Sequence, residues 1–194
     1  MQESYSSNES SDANLAALAG ETISGKSAEE VEQMVERVEN SATNWQEWES
    51  LRVLSDGRMR DDRRDVETRL RWVQLALVAC RRKRESVEFN SANILTDEVN
   101  VRAYAIREFG AVQGDRIRDP HELCRVVFRE IGASQEQISI EATDWRSLPR
   151  ERMLRLRYVK NLLTPLRSMM GVLPENDPLR RQLSAWLSLI PNLP

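Results

Sequence analysis

One stretch in the first half of the chain constrains the fold more than any other feature. It runs from Arg58 to Arg84 and reads RMRDDRRDVETRLRWVQLALVACRRKR. At 100° per residue its apolar side chains fall on one face, which predicts a core helix from about Asp61 to Glu88. Arg69 falls on this apolar side, where Asp65 one turn earlier is placed to pair with it. The opposite side carries an arginine stripe, the central stripe, formed by Arg60, Arg63, Arg64, Arg71, Arg81 and Arg82.

Helix start and stop signals recur through the rest of the chain. Helix starts are predicted at Ser27, Thr43 or Asn44, Asp119-Pro120, Ser134 and Asp177-Pro178, and Gly57 is predicted to end the second helix. Around Ile138 and Ile140 a short strand is the alternative to a short helix. With only 7 Gly and 7 Pro in 194 residues, these signals predict an all-α fold. We expect a single compact domain of about six to seven helices over residues 27–194.

The N-terminal part of the chain differs from the rest in composition. Residues 1–26 are rich in Ser, Asn, Asp and Glu and have few large apolar side chains, so we expect a disordered arm. Residues 1–49 carry 11 acidic and 2 basic side chains, whereas residues 50–86 carry 11 basic and 6 acidic ones. We therefore expect the acidic part to attract the central stripe, within the chain or between chains.

A second basic stripe is predicted on a long helix from Leu148 to Met170, broken near Thr164-Pro165. It consists of Arg150, Arg157, Lys160 and Arg167. Of the 28 basic residues in the chain, 25 are arginine, whose planar guanidinium suits carboxylate and phosphate recognition. Codon bias in a GC-rich genome is the alternative explanation for this preference.

Residues that could carry out catalysis are scarce. The chain has one histidine, His121, and two cysteines, Cys80 and Cys124, both on predicted apolar helix faces. Metal-ligand spacing and a Gly-rich phosphate loop are both missing. We therefore expect no catalytic residues, cofactor, metal or small-molecule substrate. No apolar run is long enough to span a membrane and no signal segment is recognisable, so we expect a soluble, intracellular (cytoplasmic) protein.

Residues 127–141 carry one recognisable motif. Ile131-Gly132 lie at a turn, Ser134-Gln135 begin the next helix, and Ile138 is its inward residue. This segment resembles the core of a helix-turn-helix DNA-binding motif, although it departs from that motif at Phe128 and Glu141. The resemblance implies that Gln135 and Gln137 read bases.

Three classes of function remain after these observations: enzyme, nucleic-acid binder, and interaction or assembly protein. The third requires the fewest special residues, because arginine-rich helix surfaces and wide apolar faces are typical of interfaces. We expect a non-enzymatic protein that binds macromolecules, with a protein partner or self-association. Direct binding of RNA or DNA through the central stripe is the alternative.

Overall fold

The structure, a computed structural model, describes residues 17–38, 44–86 and 92–194. These residues form eight α-helices, three 3-10 helices and one two-stranded hairpin, which confirms the predicted all-α fold. The α-helices are α1 Ala28–Val38, α2 Trp45–Met59, α3 Val66–Ser86, α4 Ala92–Phe109, α5 Pro120–Ile131, α6 Gln135–Thr143, α7 Arg150–Leu163 and α8 Pro178–Leu187. The 3-10 helices are Trp145–Ser147, Pro165–Gly171 and Ile190–Asn192. The segment with two possible structures, around Ile138, is the helix α6.

Side-chain caps begin the helices at the predicted positions. Ser27 Oγ accepts a hydrogen bond from the backbone N–H of Glu30 at 3.3 Å, and Glu30 Oε2 accepts one from the N–H of Ser27 at 2.7 Å. Four other helices are capped by Asn44, Asp119, Ser134 and Asp177. Each cap satisfies backbone donors that have no partner within the helix. These local hydrogen bonds explain why the sequence alone locates these helix starts.

The predicted helix from Asp61 to Glu88 is wrong at its beginning. α2 continues through Gly57 and ends at Met59. A glycine inside a helix costs about 1 kcal/mol relative to alanine, and the complete burial of Met59 offsets this cost. α3 begins after Asp65, whose carboxylate accepts hydrogen bonds from the N–H and hydroxyl of Thr68 at 2.8 and 2.7 Å. The residues of the central stripe that precede α3 are Arg60, Arg63 and Arg64.

The folded part begins earlier than predicted. β1 Ala17–Leu18 and β2 Glu21–Thr22 form an antiparallel hairpin. Leu18 and Ile23 are fully buried against the helices. Two large apolar side chains thus order a segment that its polar composition predicted to be disordered through residue 26. The boundary expected at residue 27 is corrected to Ala17, and residues 1–16 of the predicted arm lie outside the described residues.

Two hydrophobic cores share α4. The N-terminal core contains the hairpin, α1, α2 and most of α3, and the C-terminal core contains α5 to α8. α4 contributes Val101, Tyr104 and Ala105 to the first core and Leu95, Val99, Ala103 and Ile106 to the second. α4 therefore joins the two halves of the domain.

Candidate macromolecule-binding surface

The six arginines of the central stripe are divided among three elements. Arg60 follows α2, Arg63 and Arg64 lie in the connection to α3, and the other three lie on α3. They therefore do not form the continuous row of about 30 Å that a single helix would give.

Four of these six arginines pair with carboxylates of the same chain. The pairs are Arg60–Asp56, Arg64–Asp61, Arg71–Glu29 and Arg82–Glu85, with N–O distances of 2.9, 3.2, 2.8 and 3.3 Å. The other two, Arg63 and Arg81, are exposed, and their guanidinium groups contact no carboxylate among the described residues. Most of the charge expected on this stripe is thus compensated within the chain.

The acidic first helix contributes to this compensation. Arg71 on α3 contacts both Glu29 and Glu32 of α1, at 2.8 and 3.4 Å. The attraction expected between the acidic N-terminal part and the central stripe is therefore present within the chain, at least for these two glutamates.

The second basic stripe keeps three of its four charges at the surface. Arg150 and Arg157 are exposed on α7, and Arg167 is exposed on the 3-10 helix Pro165–Gly171. In the part of the chain that the structure describes, none of these three guanidinium groups has a hydrogen-bond or ion-pair partner. Lys160 differs, because its ammonium donates to the carbonyl oxygens of Leu193 and Pro194 at 2.9 and 3.2 Å.

An apolar side chain lies within this second stripe. Leu154 is 49% exposed and follows Arg150 by four residues and precedes Arg157 by three. At helical spacing these three side chains share the outward face of α7. We call this face the α7 surface. It combines unpaired positive charge with exposed apolar area.

Arg69 forms a buried network that the sequence did not reveal. The predicted pairing with Asp65 is wrong, since the Asp65 carboxylate instead caps α3. The Arg69 guanidinium donates to the carbonyl of Met59 at 2.9 Å and to Tyr104 Oη and Glu108 Oε1, both at 2.7 Å. The hydrogen bond to Glu108, as the largest cause, and the one to Tyr104 raise the pKa of Arg69 above its ordinary value. The network fastens the end of α2 to α3 and α4.

A second polar cluster joins α2, α3 and α4. Glu49 accepts hydrogen bonds from Arg52 and Lys83, both at 2.7 Å, and Asp97 lies 3.4 Å from Arg52. The Arg52 hydrogen bond is the main reason that the pKa of Glu49 falls to about 2. Burial raises the pKa of Asp97 despite the nearby cations. The cluster is a structural ion-pair network with Glu49 as its main acceptor.

Arg102 on α4 is a further buried arginine, with 5% of its surface exposed. Its one ion pair among the described residues is a long one, 4.0 Å from Nη1 to Glu98 Oε1. Its Nε and Nη2 atoms are buried and donate to no group of the protein that the structure describes. Burial accordingly lowers the pKa of Arg102, an effect that Glu98 opposes.

Arg102 lines two adjoining cavities. The first has a volume of about 340 Å³ and is also lined by Arg81, Arg84, Arg116 and Glu98. The second, of about 450 Å³, is lined by Arg102, Arg116 and Arg125 together with four carboxylates. The first cavity therefore carries an excess of positive charge, and the second does not.

The single histidine and the two cysteines occupy structural positions. His121 Nε2 donates to Asp177 at 2.7 Å and so connects the starts of α5 and α8. Cys80 and Cys124 are fully buried, and burial raises the pKa of both thiols to about 12. Thiols with such a pKa are poor nucleophiles at neutral pH. No group of three or more potential metal ligands is found among the residues that the structure describes.

The helix-turn-helix resemblance matches the local backbone. α5 ends at Gly132 with a left-handed φ of 59°, Ser134 caps α6, and Ile138 is fully buried. Gln137, a candidate base reader, uses its side-chain oxygen to accept from the N–H of Ser134 at 3.1 Å. α6 itself carries Glu136 and Glu141 and no basic residue. Its charge is unfavourable for lying against phosphates.

Comparisons with known proteins identify no relative of the chain. No family model, curated protein or solved structure matches the chain. Among the described residues, no helix is both long and apolar enough to cross a membrane.

Proposed function

We propose that this protein acts by binding another macromolecule, an acidic protein partner, and that it catalyses no reaction itself. The observation that carries the proposal is the α7 surface, where Arg150 and Arg157 flank the exposed Leu154 and have no partner among the described residues. An acidic partner would supply the missing carboxylates, and an apolar side chain on it would cover Leu154. Arginine beside apolar area is typical of interface hot spots.

The distribution of ion pairs favours a protein partner over nucleic acid. Phosphate recognition along the central stripe would have to break the pairs of Arg60, Arg64 and Arg71 with their own carboxylates. Each broken pair would reduce the gain from counterion release. A phosphate backbone also offers little apolar area to cover Leu154. Binding of RNA or DNA therefore remains the alternative proposal, and an intracellular location is expected for both.

A capture experiment tests the proposal. The immobilised protein is incubated with nuclease-treated extract of its own cells, and bound proteins are quantified by mass spectrometry. The double variant Arg150→Gln/Arg157→Gln is compared with Arg181→Gln, which removes an exposed arginine of α8 that has no partner among the described residues. We expect a specific protein to be reduced at least about tenfold by the double variant, the equivalent of about 1.4 kcal/mol, and unchanged by the control.

Two further measurements decide between the alternatives. Binding of duplex DNA and RNA is measured across a salt series, with Arg63→Gln/Arg81→Gln as the variant of the unpaired stripe residues. Tight binding with a steep salt dependence, weakened in that variant, would support nucleic-acid binding instead. Equal capture of every protein by wild type and the α7 double variant would contradict the proposed role of the α7 surface. Sedimentation equilibrium would identify a second copy as the partner if a dimer is lost in the double variant.

A further inference from the structure

The cavity beside Arg102 combines a buried arginine that has unsatisfied donors with a lining that carries an excess of positive charge. Arg102 is one of its lining residues and is 5% exposed, and its Nε and Nη2 atoms are buried without a hydrogen-bond partner among the described residues. Buried polar groups are nearly always hydrogen-bonded, so each exception requires an explanation such as a bound water or ion. A buried charge with unsatisfied donors is a costly exception, because nearby groups replace its lost hydration only in part.

The charges around the cavity indicate that it favours a negatively charged ligand. Arg81, Arg84 and Arg116 line the same cavity, and Glu98 is its single carboxylate. Glu98 lies 3.9 Å from Arg84 and 4.0 Å from Arg102, too far for a hydrogen bond to either. In the described ranges, none of these four guanidinium groups donates a hydrogen bond to another residue. Four positive charges and one carboxylate thus line the concave space, which leaves it with an excess of positive charge.

The neighbouring cavity does not compete for an anion. Its carboxylates already have partners: Asp115 accepts from Arg118, Asp119 caps α5, and Glu122 accepts from Arg125. The carboxylates of this second cavity would repel an anion. We therefore expect a negatively charged ligand in the first cavity, on the side of Arg81 and Arg84. Leu77, Val78 and Ile117 also line that cavity and give it an apolar wall.

We infer that the cavity between α3 and α4 binds the phosphate group of a small phosphorylated molecule, held by Arg102 with Arg81, Arg84 and Arg116. A phosphate carries the multiple negative charge that this arrangement favours and accepts several hydrogen bonds from guanidinium groups. The volume of about 340 Å³ is suited to a small ligand. A phosphate of duplex nucleic acid is a poor fit, because the backbone of a duplex cannot reach a side chain that is 5% exposed.

The proposed macromolecule binding uses the α7 surface, whereas the cavity is lined by residues of α3, α4 and the connection that follows α4. The two proposals are therefore independent. The inference adds a ligand and not a substrate, so it leaves the expectation of a non-enzymatic protein unchanged. The ligand would offset a buried positive charge and contact both α3, which belongs to the N-terminal core, and α4, which both cores share.

The test uses the full chain and inorganic pyrophosphate as the probe. Thermal unfolding and isothermal titration calorimetry are measured with pyrophosphate, against sodium chloride at matched ionic strength. We expect a Tm increase of roughly 5–10 °C at a hundredfold excess over Kd for the wild type. The increase should be abolished in Arg102→Met and reduced in Arg116→Gln, whose side chain is exposed and whose loss should not affect folding. Arg129→Gln, an exposed arginine of α5 outside both cavities, is the matched control and should respond like the wild type.

Each outcome has a defined meaning. An equal Tm response in wild type, Arg102→Met and Arg116→Gln would show general ion binding and overturn the inference. No response of the wild type to pyrophosphate would also overturn it. If a duplex oligonucleotide binds in a manner that depends on Arg102 while pyrophosphate does not, the site belongs to nucleic acid and the inference is wrong. Binding of vesicles that contain anionic lipid, without binding of free pyrophosphate, would likewise assign the site to a membrane surface.

Discussion

Arg69 and Arg102 are both almost fully buried between α3 and α4, which run antiparallel, but their surroundings differ. Arg69 lies near the start of α3 and donates to a carbonyl, a hydroxyl and a carboxylate at 2.7–2.9 Å. Arg102 lies beside the later part of α3 and has a single carboxylate at 4.0 Å. The same helix pair therefore buries one arginine that is hydrogen-bonded and one that has unsatisfied donors. The guanidinium of Arg69, with three hydrogen bonds, holds the fold together, whereas that of Arg102 marks the place where we propose that a ligand binds.

The largest expected effect is the loss of the bonded arginine. Arg69→Met should reduce the free energy of unfolding by about 2–3 kcal/mol, because it removes three hydrogen bonds that a charged guanidinium donates. Glu108 is partly exposed and can be hydrated, which keeps the loss below that of a fully buried pair. Urea unfolding measures the change. Arg69→Lys is the second variant and should recover only part of the loss, since an ammonium cannot reproduce the planar geometry. A loss below about 0.5 kcal/mol would remove the structural role assigned to this network.

A smaller effect is expected in the cluster around Glu49, and it should depend on pH. Glu49→Gln should cost about 1–2 kcal/mol at pH 7, because Gln accepts from Arg52 and Lys83 without charge. The folded-state pKa of Glu49 is about 2 and its ordinary value is 4.5. The contribution of its carboxylate is therefore complete above pH 4.5 and is lost as the pH falls towards 2.

The measurement is the difference in urea stability between the wild type and Glu49→Gln at several pH values from 7 down to 3. The difference should shrink below pH 4.5. Asp97 acts in the opposite sense, because its raised pKa means that protonation favours the folded state. Asp97→Asn is therefore the control, and a parallel decline in both variants would count against a specific role of Glu49.

The smallest effect is expected for the unbonded arginine. Arg102→Met should change the free energy of unfolding by less than about 1 kcal/mol, or should stabilise the protein, because it replaces a buried charge that has only a long ion pair with an apolar side chain of similar length. Urea unfolding in an anion-poor buffer is the measurement. A loss of more than about 2 kcal/mol would show that Arg102 is bonded as well as Arg69, and the contrast between them would disappear.

The sequence predicts the parts of this structure that depend on neighbouring residues. The sequence predicts the helix starts at Ser27, at Thr43 or Asn44, and at Ser134, because a cap and the donors it satisfies lie within three residues; the second cap is Asn44. The break of the long C-terminal helix at Thr164-Pro165 was found for a similar reason, since proline removes a backbone donor. Local backbone chemistry is therefore sufficient to predict the all-α fold class and these helix boundaries.

What the sequence missed depends on distant residues. The sequence predicts a helix end at Gly57 because the helix propensity of glycine is poor, but the tertiary packing of Met59 extends α2 past it. Arg69 contacts Glu108, 39 residues away, and no spacing rule could select that partner over Asp65. The candidate site was predicted only as stripes of positive charge. Which arginines are paired and which are free depends on how the helices pack.

The sharing of α4 between two cores has a consequence for dividing the chain. A cut in the loop between α4 and α5 would leave an N-terminal fragment with an exposed apolar surface that contains Val99 and Ile106. The C-terminal fragment would lack the helix that fills its own interior. We expect neither fragment to be a stable unit alone, but their exposed surfaces match each other. The same loop is therefore the natural place for a split-protein design in which two fragments regain structure only when they meet.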